Sequence, residues 1–428
     1  MTLGYRTTIW RLRASVLAAA VFSSVAAQAQ VPLAIATPAP AVAPLNLRQV
    51  FEAAWARQPE AMALQARRDA ARAQQNAAQA WTPESAALEL AYKTDRFNRN
   101  QGARELEVGV SVPLWLPGER SRSAALAEAE GAAVESRATA AQLRIAATVR
   151  ETWWQWQRAR IDVDIARDQL DNSRRLAADV IRRVRAGDLA RADQHQADGA
   201  VASAEANMAQ AEVNLAAARQ QLHALAGAAP LANEATDAVS EPDASAATAD
   251  VEANAALQEL KAKATVAERT AALTAVQTRV NPELTLTPTR DRGGFGETSQ
   301  QTLAVGVRIP FGGGPRHDVR TANALADTTE IQAQLSLERG RLAAEREAAR
   351  VRVDASRSQL AAAERRVVLA RESRGFFDKS FRLGETDLPT RLRIEAEAAE
   401  AERQAARNRI ELAAAISAWR QSLGLLPQ

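Results

Sequence analysis

An internal repeat with a period of 197 residues constrains this chain more than any other feature of its sequence. The turn residues separated by this offset are Pro113 with Pro310, Gly187 with Gly384, and Gly227 with Gly424. Apolar positions between these landmarks correspond at the same offset. A repeat of this length predicts two copies of one supersecondary unit. The two copies are expected over residues 46–227 and 251–428.

The segments outside the repeats have distinct compositions. Residues 1–29 are typical of a secretory signal peptide, with basic residues before an apolar run and small residues before Gln30. Residues 30–45 are rich in Pro and Ala and are predicted to be extended. Residues 228–250 form an acidic, Ala/Pro-rich linker between the repeats. A membrane anchor at the N-terminus is the alternative, but its apolar run is short for a spanning helix.

The formal net charge of +3 comes from the predicted signal peptide. The whole sequence has 54 basic and 51 acidic residues. Three of the basic residues, Arg6, Arg11 and Arg13, lie within residues 1–29, so the remaining chain is formally neutral. No nucleic-acid partner is therefore expected. The sequence has no cysteine, which excludes disulfides, thiolate metal sites and a lipid-modified cysteine.

Long helices are predicted in each repeat. No proline lies between Pro117 and Pro230, so one helix can run from about Glu119 to Ala186, a length of about 100 Å at 1.5 Å per residue. A glycine with positive φ is expected to end the long helix of each repeat. Those glycines are Gly187 and Gly384, and the return helices are expected to start at Asp188 and Glu385. The first return helix is predicted to end at Gly227, and an opening helix is predicted over residues 46–80.

Two pairs of strands, over residues 85–113 and 283–310, alternate apolar with polar or small residues. The apolar positions are Leu88, Leu90, Tyr92, Leu106, Val108, Val110, Val112, Leu284, Leu286, Leu303, Val305, Val307 and Ile309. Strands of eight to ten residues with one apolar face are typical of tilted transmembrane β-strands. The aromatic residues expected at the membrane interfaces are Trp81, Tyr92, Trp115 and Phe311. Two ordinary hairpins on a soluble core are the alternative interpretation.

Four strands cannot close a barrel, and open sheet edges are not tolerated in lipid. A transmembrane sheet of this kind therefore requires several copies of the chain, as a symmetric oligomer provides.

The order of these motifs resembles the TolC-like outer-membrane efflux proteins over nearly the whole mature chain. The segments that carry the resemblance are LNLRQVFEAAWARQPEAMAL (45–64), VPLWLPGERSR (112–122), NPELTLTP (281–288), RAGDLARAD (185–193) and RLGETDLPTRLR (382–393). The GETDLPTRL form of the last segment is most similar to the heavy-metal, CzcC-like branch of that family.

The resemblance implies a mainly α fold with a small β part. Three chains would form a twelve-stranded barrel in the outer membrane, continued by a periplasmic α-barrel of long antiparallel helical hairpins. The hairpin tips would dock on a periplasmic adaptor bound to an inner-membrane pump of the RND type. The tip and gate residues implied by the resemblance are Arg185, Gly187, Asp188, Asp193, Arg382, Gly384, Glu385, Thr390 and Arg393. Some family members have acidic gate rings at the positions of Thr390 and Arg393, and this chain departs from that pattern.

The expected function is a passive exit duct for efflux, with heavy-metal cations as the expected substrate. A drug-efflux or type I protein-secretion channel is the alternative, and a soluble periplasmic coiled-coil adaptor is a further one. No nucleotide-binding loop, nucleophile elbow or metalloprotease motif is present in the sequence, so no enzyme activity and no cofactor are expected. The three histidines, at 195, 223 and 317, are scattered, so no metal site is expected. The expected location is the outer membrane, with a large periplasmic part and no lipid anchor.

Overall fold

The computed structural model describes residues 46–227, 241–243 and 250–428. The predicted signal peptide, the segment 30–45 and most of the linker 228–250 lie outside the described residues. Within the described ranges, no helix has an apolar stretch long enough to cross a membrane.

The described chain forms seven helices and four strands in two successive sets. The first set is α1 (Leu47–Ala56), α2 (Pro59–Ala78), β1 (Ala87–Thr94), β2 (Arg104–Pro113), α3 (Glu119–Ala186) and α4 (Arg191–Ala226). The second set is α5 (Ala255–Val276), β3 (Glu283–Arg292), β4 (Gln300–Arg308), α6 (Gly314–Arg382) and α7 (Leu388–Ser422), with a single 3₁₀ turn (Val251–Ala253) before it.

The long helices dominate the fold. The helix α3 has 68 residues, with the bounds predicted from the proline-free interval, and α6 has 69 residues. Each is about 100 Å long. Two shorter helices pack against each long one: α2 and α4 against α3, and α5 and α7 against α6. The helix α5 also packs against α3 and joins the two sets.

The same interhelical ion pair occurs in both sets. Arg174 of α3 contacts Glu205 of α4 at 2.8 Å, and Arg371 of α6 contacts Glu402 of α7 at 2.7 Å. These residues differ by the 197-residue offset of the sequence repeat. The two hairpins are therefore matched in helix register as well as in order.

The opening helix departs from the sequence prediction, because it consists of two helices. Gln58 is extended, with φ −73° and ψ 140°, and Pro59 starts α2. A residue before proline is disfavoured in the helical region, so the chain breaks there. The return helices also start later than predicted, at Arg191 and Leu388, and Asp188 and Glu385 lie in the preceding turns.

The largest apolar cluster lies where α1, α3, α4 and α7 meet. Its aromatic members are Phe51, Trp153, Trp154 and Trp156, all of them buried. Glu241, from the segment between the two sets, is also buried, beside α3 and α7. The connection between the sets is therefore fixed to the helices at this level.

Candidate functional site

The four strands form one antiparallel sheet in the order β1-β2-β3-β4. Its register places the predicted apolar residues opposite one another. Leu90 pairs with Val108, Val110 with both Leu88 and Leu286, and Leu286 also with Val305. Because side chains alternate along a strand, these residues share one face of the sheet. Ile309 is the exception to the strand assignment, since β4 ends one residue earlier, at Arg308.

The apolar face of this sheet is the exposed one. Leu90 is 70% exposed and Val305 is 68% exposed. On the two central strands, Leu106 and Leu286 are exposed, whereas Glu107 and Thr285 on the opposite face are half-buried. A sheet on a soluble core would bury its apolar face instead. This face is therefore suited to an apolar environment outside the chain.

The opposite face of the sheet is polar and mainly acidic. Lys93 donates to Glu105 at 3.1 Å and to Glu107 at 2.9 Å, across β1 and β2. The paired residues on this face include five carboxylates and two basic groups: Glu89, Glu105, Glu107, Glu283, Asp291, Lys93 and Arg308. Each chain thus presents a net negative surface on the polar side of the sheet.

The outer strands of the sheet, β1 and β4, each pair on one side only within the described chain. Because the four strands alternate in direction, β4 of one copy is antiparallel to β1 of another copy placed beside it. The sheet can therefore extend from copy to copy with regular antiparallel pairing.

The aromatic residues near the strand ends differ in exposure. Trp81 is 95% exposed and Phe311 is 87% exposed, as suits residues at a membrane interface. Tyr92 is also exposed and lies on the apolar face. Trp115 is half-buried instead, and its indole Nε1 donates to the Ala80 carbonyl at 3.2 Å.

The two hairpin tips have the same backbone geometry. Gly187 and Gly384 have φ of 87° and 79°, the positive values predicted from the sequence. In the first tip, the Asp188 N–H donates to the Arg183 carbonyl at 2.9 Å; in the second, the Glu385 N–H donates to the Ser380 carbonyl at 3.0 Å. These bonds close the last helical turn in the pattern typical of a Schellman motif. The open space around both glycines leaves backbone strain as the only barrier to a side chain.

A buried phenylalanine joins the two hairpins near the tips. Phe381 is 2% exposed and packs in a cluster with Leu176 and Val180 of α3 and Leu388 of α7. The guanidinium groups of Arg183 and Arg391 lie 4.7 Å from the centre of its ring. Arg183 also donates to the Phe381 carbonyl at 3.1 Å.

Around this cluster, four guanidinium groups share two carboxylates. Two carboxylates, Asp179 and Asp378, contact the guanidinium groups of Arg182, Arg183, Arg382 and Arg391. Arg391 reaches Asp378 at 2.6 Å and Asp179 at 3.9 Å, so it connects the second hairpin to the first. A groove of about 650 Å³ between the hairpins is lined by the same arginines and by Arg175. Sequence reasoning did not assign Phe381, Asp179 or Asp378 to the site, because the hairpin contact depends on tertiary packing.

Comparison with known proteins gives a family match for most of the first repeat. Residues 50–228 match the outer membrane efflux protein family. No individual curated protein matches the chain by sequence. The crystal structure of CusC superposes with a TM-score of 0.72 at 14% identity, over 89% of this chain and 92% of CusC.

Two further channel structures have the same fold. VceC of Vibrio cholerae superposes with a TM-score of 0.71 at 16% identity, over 88% of this chain and 96% of VceC. The open MtrE channel of Neisseria gonorrhoeae gives 0.70 at 15% identity, over 89% of each chain. The chain therefore has the TolC-like fold of outer-membrane channels: mainly helical, with one four-stranded antiparallel sheet. The heavy-metal branch is not distinguished by these likenesses.

Several tip residues singled out by resemblance to the outer membrane efflux family have local partners. The Asp193 carboxylate accepts the Ala190 N–H at 3.0 Å and so caps α4. Thr390 donates its N–H to Asp387, which caps α7 and whose pKa is lowered by its hydrogen bonds with Thr390. Arg393 pairs with Glu397 at 2.6 Å. These side chains therefore make hydrogen bonds or ion pairs near the start of the return helices, within one chain.

The remaining tip residues differ in their contacts. Arg382 pairs with Asp378 at 2.7 Å, and the Glu385 carboxylate accepts the Ser380 hydroxyl at 3.3 Å. Arg185 and Asp188 are exposed. Among the described residues, no group of three or more His, Asp and Glu side chains has the arrangement of a metal site.

Proposed function

We propose that this protein is the outer-membrane exit duct of a tripartite efflux system. Three copies join their sheets into a closed twelve-stranded barrel, and their helices form a conduit through the periplasm. The exposed apolar face of the sheet is the observation that carries the proposal. In a membrane that face contacts lipid chains, whereas in water it would be an aggregation-prone apolar surface.

Closure of the barrel follows from the edges of the sheet. Unpaired backbone groups at β1 and β4 are costly in a bilayer, where water cannot bind them. Pairing β4 of each copy with β1 of the next removes every edge and preserves antiparallel order. The proposed trimer gives a barrel in which the apolar faces contact lipid and the polar faces line the lumen.

The acidic lumen favours cations as cargo. Each chain contributes five carboxylates and two basic groups to the polar face, and three chains repeat this excess around the barrel. Rings of carboxylates attract cations and repel anions. This supports metal cations as the substrate class, although drug efflux and protein secretion use the same channel architecture. The duct is passive, and the energy for export comes from an inner-membrane RND-type pump.

The tips are the proposed docking end for a periplasmic adaptor. Both tips are exposed turns at one end of the long helices, and the arginine-lined groove lies between the hairpins beside them. The Phe381 cluster holds the two hairpins together there, so it is also the proposed element that restricts the conduit.

Conductance in planar bilayers tests the proposal. The purified protein should form trimers whose reversal potential in a KCl gradient indicates cation selectivity. E105Q/E107Q should reduce that selectivity, and K93Q should increase it, because Lys93 lies among the same carboxylates. Absence of conductance, together with a soluble monomer in the periplasm, would refute the duct.

Cargo is tested separately in cells. A deletion strain should become more sensitive to divalent metals than to a panel of drugs, with the wild-type gene restoring resistance. Sensitivity to drugs alone would retain the channel and replace the cation assignment by the drug-efflux alternative.

A further inference from the structure

Three arginines lie at the loop end of the apolar sheet face. Arg104 on β2 is directly opposite Arg292 on β3, and the next position on this face pairs Leu106 with Arg290. The residues on the polar face between them, Glu105 and Asp291, point to the other side of the sheet. The arginines therefore continue the apolar face and do not belong to the lumen.

The pairing of Arg104 with Arg292 breaks a local rule of sheet stability. Like charges directly opposite one another on antiparallel strands are destabilising. Among the described residues, the ion pairs of the sheet are made by Lys93 and Arg308, and none of them involves these three arginines. Arg292 contacts the Gly102 carbonyl instead, at 3.3 and 3.4 Å. An anion from outside the chain is the natural partner for such a cluster.

Position along the strand indicates where that anion comes from. The apolar residues of β2 run from Leu106 to Val112, and Arg104 is the next residue on the same face toward the hairpin loop. Seven residues at about 3.4 Å each, tilted by about 40° as in a barrel, span roughly 18 Å, most of the roughly 25 Å height of a barrel's apolar band. Arg104 and Arg292 thus lie one residue pair beyond the apolar band, and Arg290 lies at its last pair, at the end remote from the helices.

We propose that Arg104, Arg290 and Arg292 form a binding site for the phosphate groups of a phosphorylated lipid in the outer leaflet. Guanidinium groups bind phosphate in a bidentate manner, and their long side chains can extend along the sheet toward headgroups. Adjacent positions across a strand pair bring two guanidinium groups within reach of one phosphate. The site rests on the proposed function, since it requires this sheet face to contact lipid.

Native mass spectrometry of the purified full-length trimer, with bis-phosphorylated lipid A as the probe, tests the site. R104Q/R290Q should weaken lipid A binding about thirtyfold, because each arginine near an anionic lipid surface contributes roughly fivefold. R104K/R290K keeps the charge but not the bidentate contact, so it should lose less lipid A binding than R104Q/R290Q. The matched control is R96Q/R99Q, which removes two arginines from the adjacent loop and should leave binding unchanged.

Two further arms identify the ligand. Dephosphorylated lipid A should bind no better to the wild type than to R104Q/R290Q. Millimolar inorganic phosphate should compete only weakly; competition as strong as that of lipid A would assign the site to free phosphate and overturn the lipid proposal. Equal lipid A binding by the wild type and R104Q/R290Q, or equal loss in R96Q/R99Q, would also overturn it.

The conductance of the same samples keeps this test apart from that of the duct. A conducting wild-type trimer without selective lipid A binding overturns the lipid site alone. A wild type that neither conducts nor forms trimers overturns the duct. If R104Q/R290Q fails to fold, the single variant R290Q replaces it and should weaken lipid A binding about fivefold. Unchanged lipid A binding by R290Q with an intact trimer would overturn the site.

Discussion

Arg150 of α3 and Glu241 of the connecting segment form a buried bidentate ion pair. The Arg150 Nη2 atom lies 2.8 Å from Glu241 Oε1, and Nε lies 2.9 Å from Oε2. Both side chains are less than 5% exposed. Arg420 and Ser417 of α7 also donate to this carboxylate, at 3.3 and 2.5 Å. One carboxylate thus fastens the segment between the repeats to a helix of each hairpin.

Glu241→Gln should destabilise the protein by about 3–5 kcal/mol, because it leaves two buried guanidinium groups without their counter-charge. Chemical denaturation of the detergent-solubilised protein measures the change. Asp243→Asn is the matched control, since Asp243 pairs with Arg357 at the exposed surface of the same segment. That substitution should cost less than about 1 kcal/mol. Equal effects of the two changes would contradict the anchoring role of Glu241.

Gly384→Val should weaken adaptor-dependent resistance while trimers still form. The φ of 79° is unfavourable for a β-branched residue, so the second tip must change its backbone. Gly375→Val is the control, because Gly375 lies within α6 and an added side chain there also meets open space. Resistance assays and unheated gel electrophoresis measure the two outcomes. Full resistance with Gly384→Val would show that this turn is not used in docking or gating.

Phe381→Ala should increase channel conductance, because it removes the ring that joins the two hairpins between Arg183 and Arg391. Loss of a buried phenylalanine costs about 3–5 kcal/mol, enough to loosen the tip cluster. Phe376→Ala lies five residues earlier on the same helix, where the side chain is 68% exposed, and should leave conductance unchanged. Single-channel recordings compare the two variants. Identical conductance in both variants would show that the Phe381 cluster is not part of the gate.

Val305→Arg should reduce insertion into the outer membrane, whereas Ala304→Arg should be tolerated. The two residues are neighbours on β4 and face opposite sides of the sheet, so only Val305 is on the apolar face. An arginine facing lipid near the middle of a barrel strand costs about 2–4 kcal/mol. The fraction of trimer in outer-membrane preparations measures the effect. A greater loss with Ala304→Arg would reverse the assignment of lipid and lumen faces.

Local rules of sequence were sufficient for the long helices and the four strands, but not for the break in the opening helix or the starts of the return helices. The proline-free interval and Gly187 fixed both ends of α3, and strict alternation located the four strands. The opening helix was predicted wrongly because the break at Gln58 depends on one proline within an otherwise helical pattern.

The candidate site was less accessible from the sequence. Turn glycines and apolar strand positions follow local patterns, so they could be identified. Phe381, Asp179 and Glu241 make contacts between segments distant in sequence. The spacing of apolar residues along the chain does not predict such contacts. Arg104 and Arg292 became notable only when the register placed them opposite each other.

The number of chains in the barrel tests the central claim most directly. Cryo-electron microscopy of the protein in lipid nanodiscs should show three copies, with β4 of each hydrogen-bonded to β1 of the next and the apolar face against lipid. A monomer with an open four-stranded sheet, or an assembly in which the apolar face points into the lumen, would contradict the account.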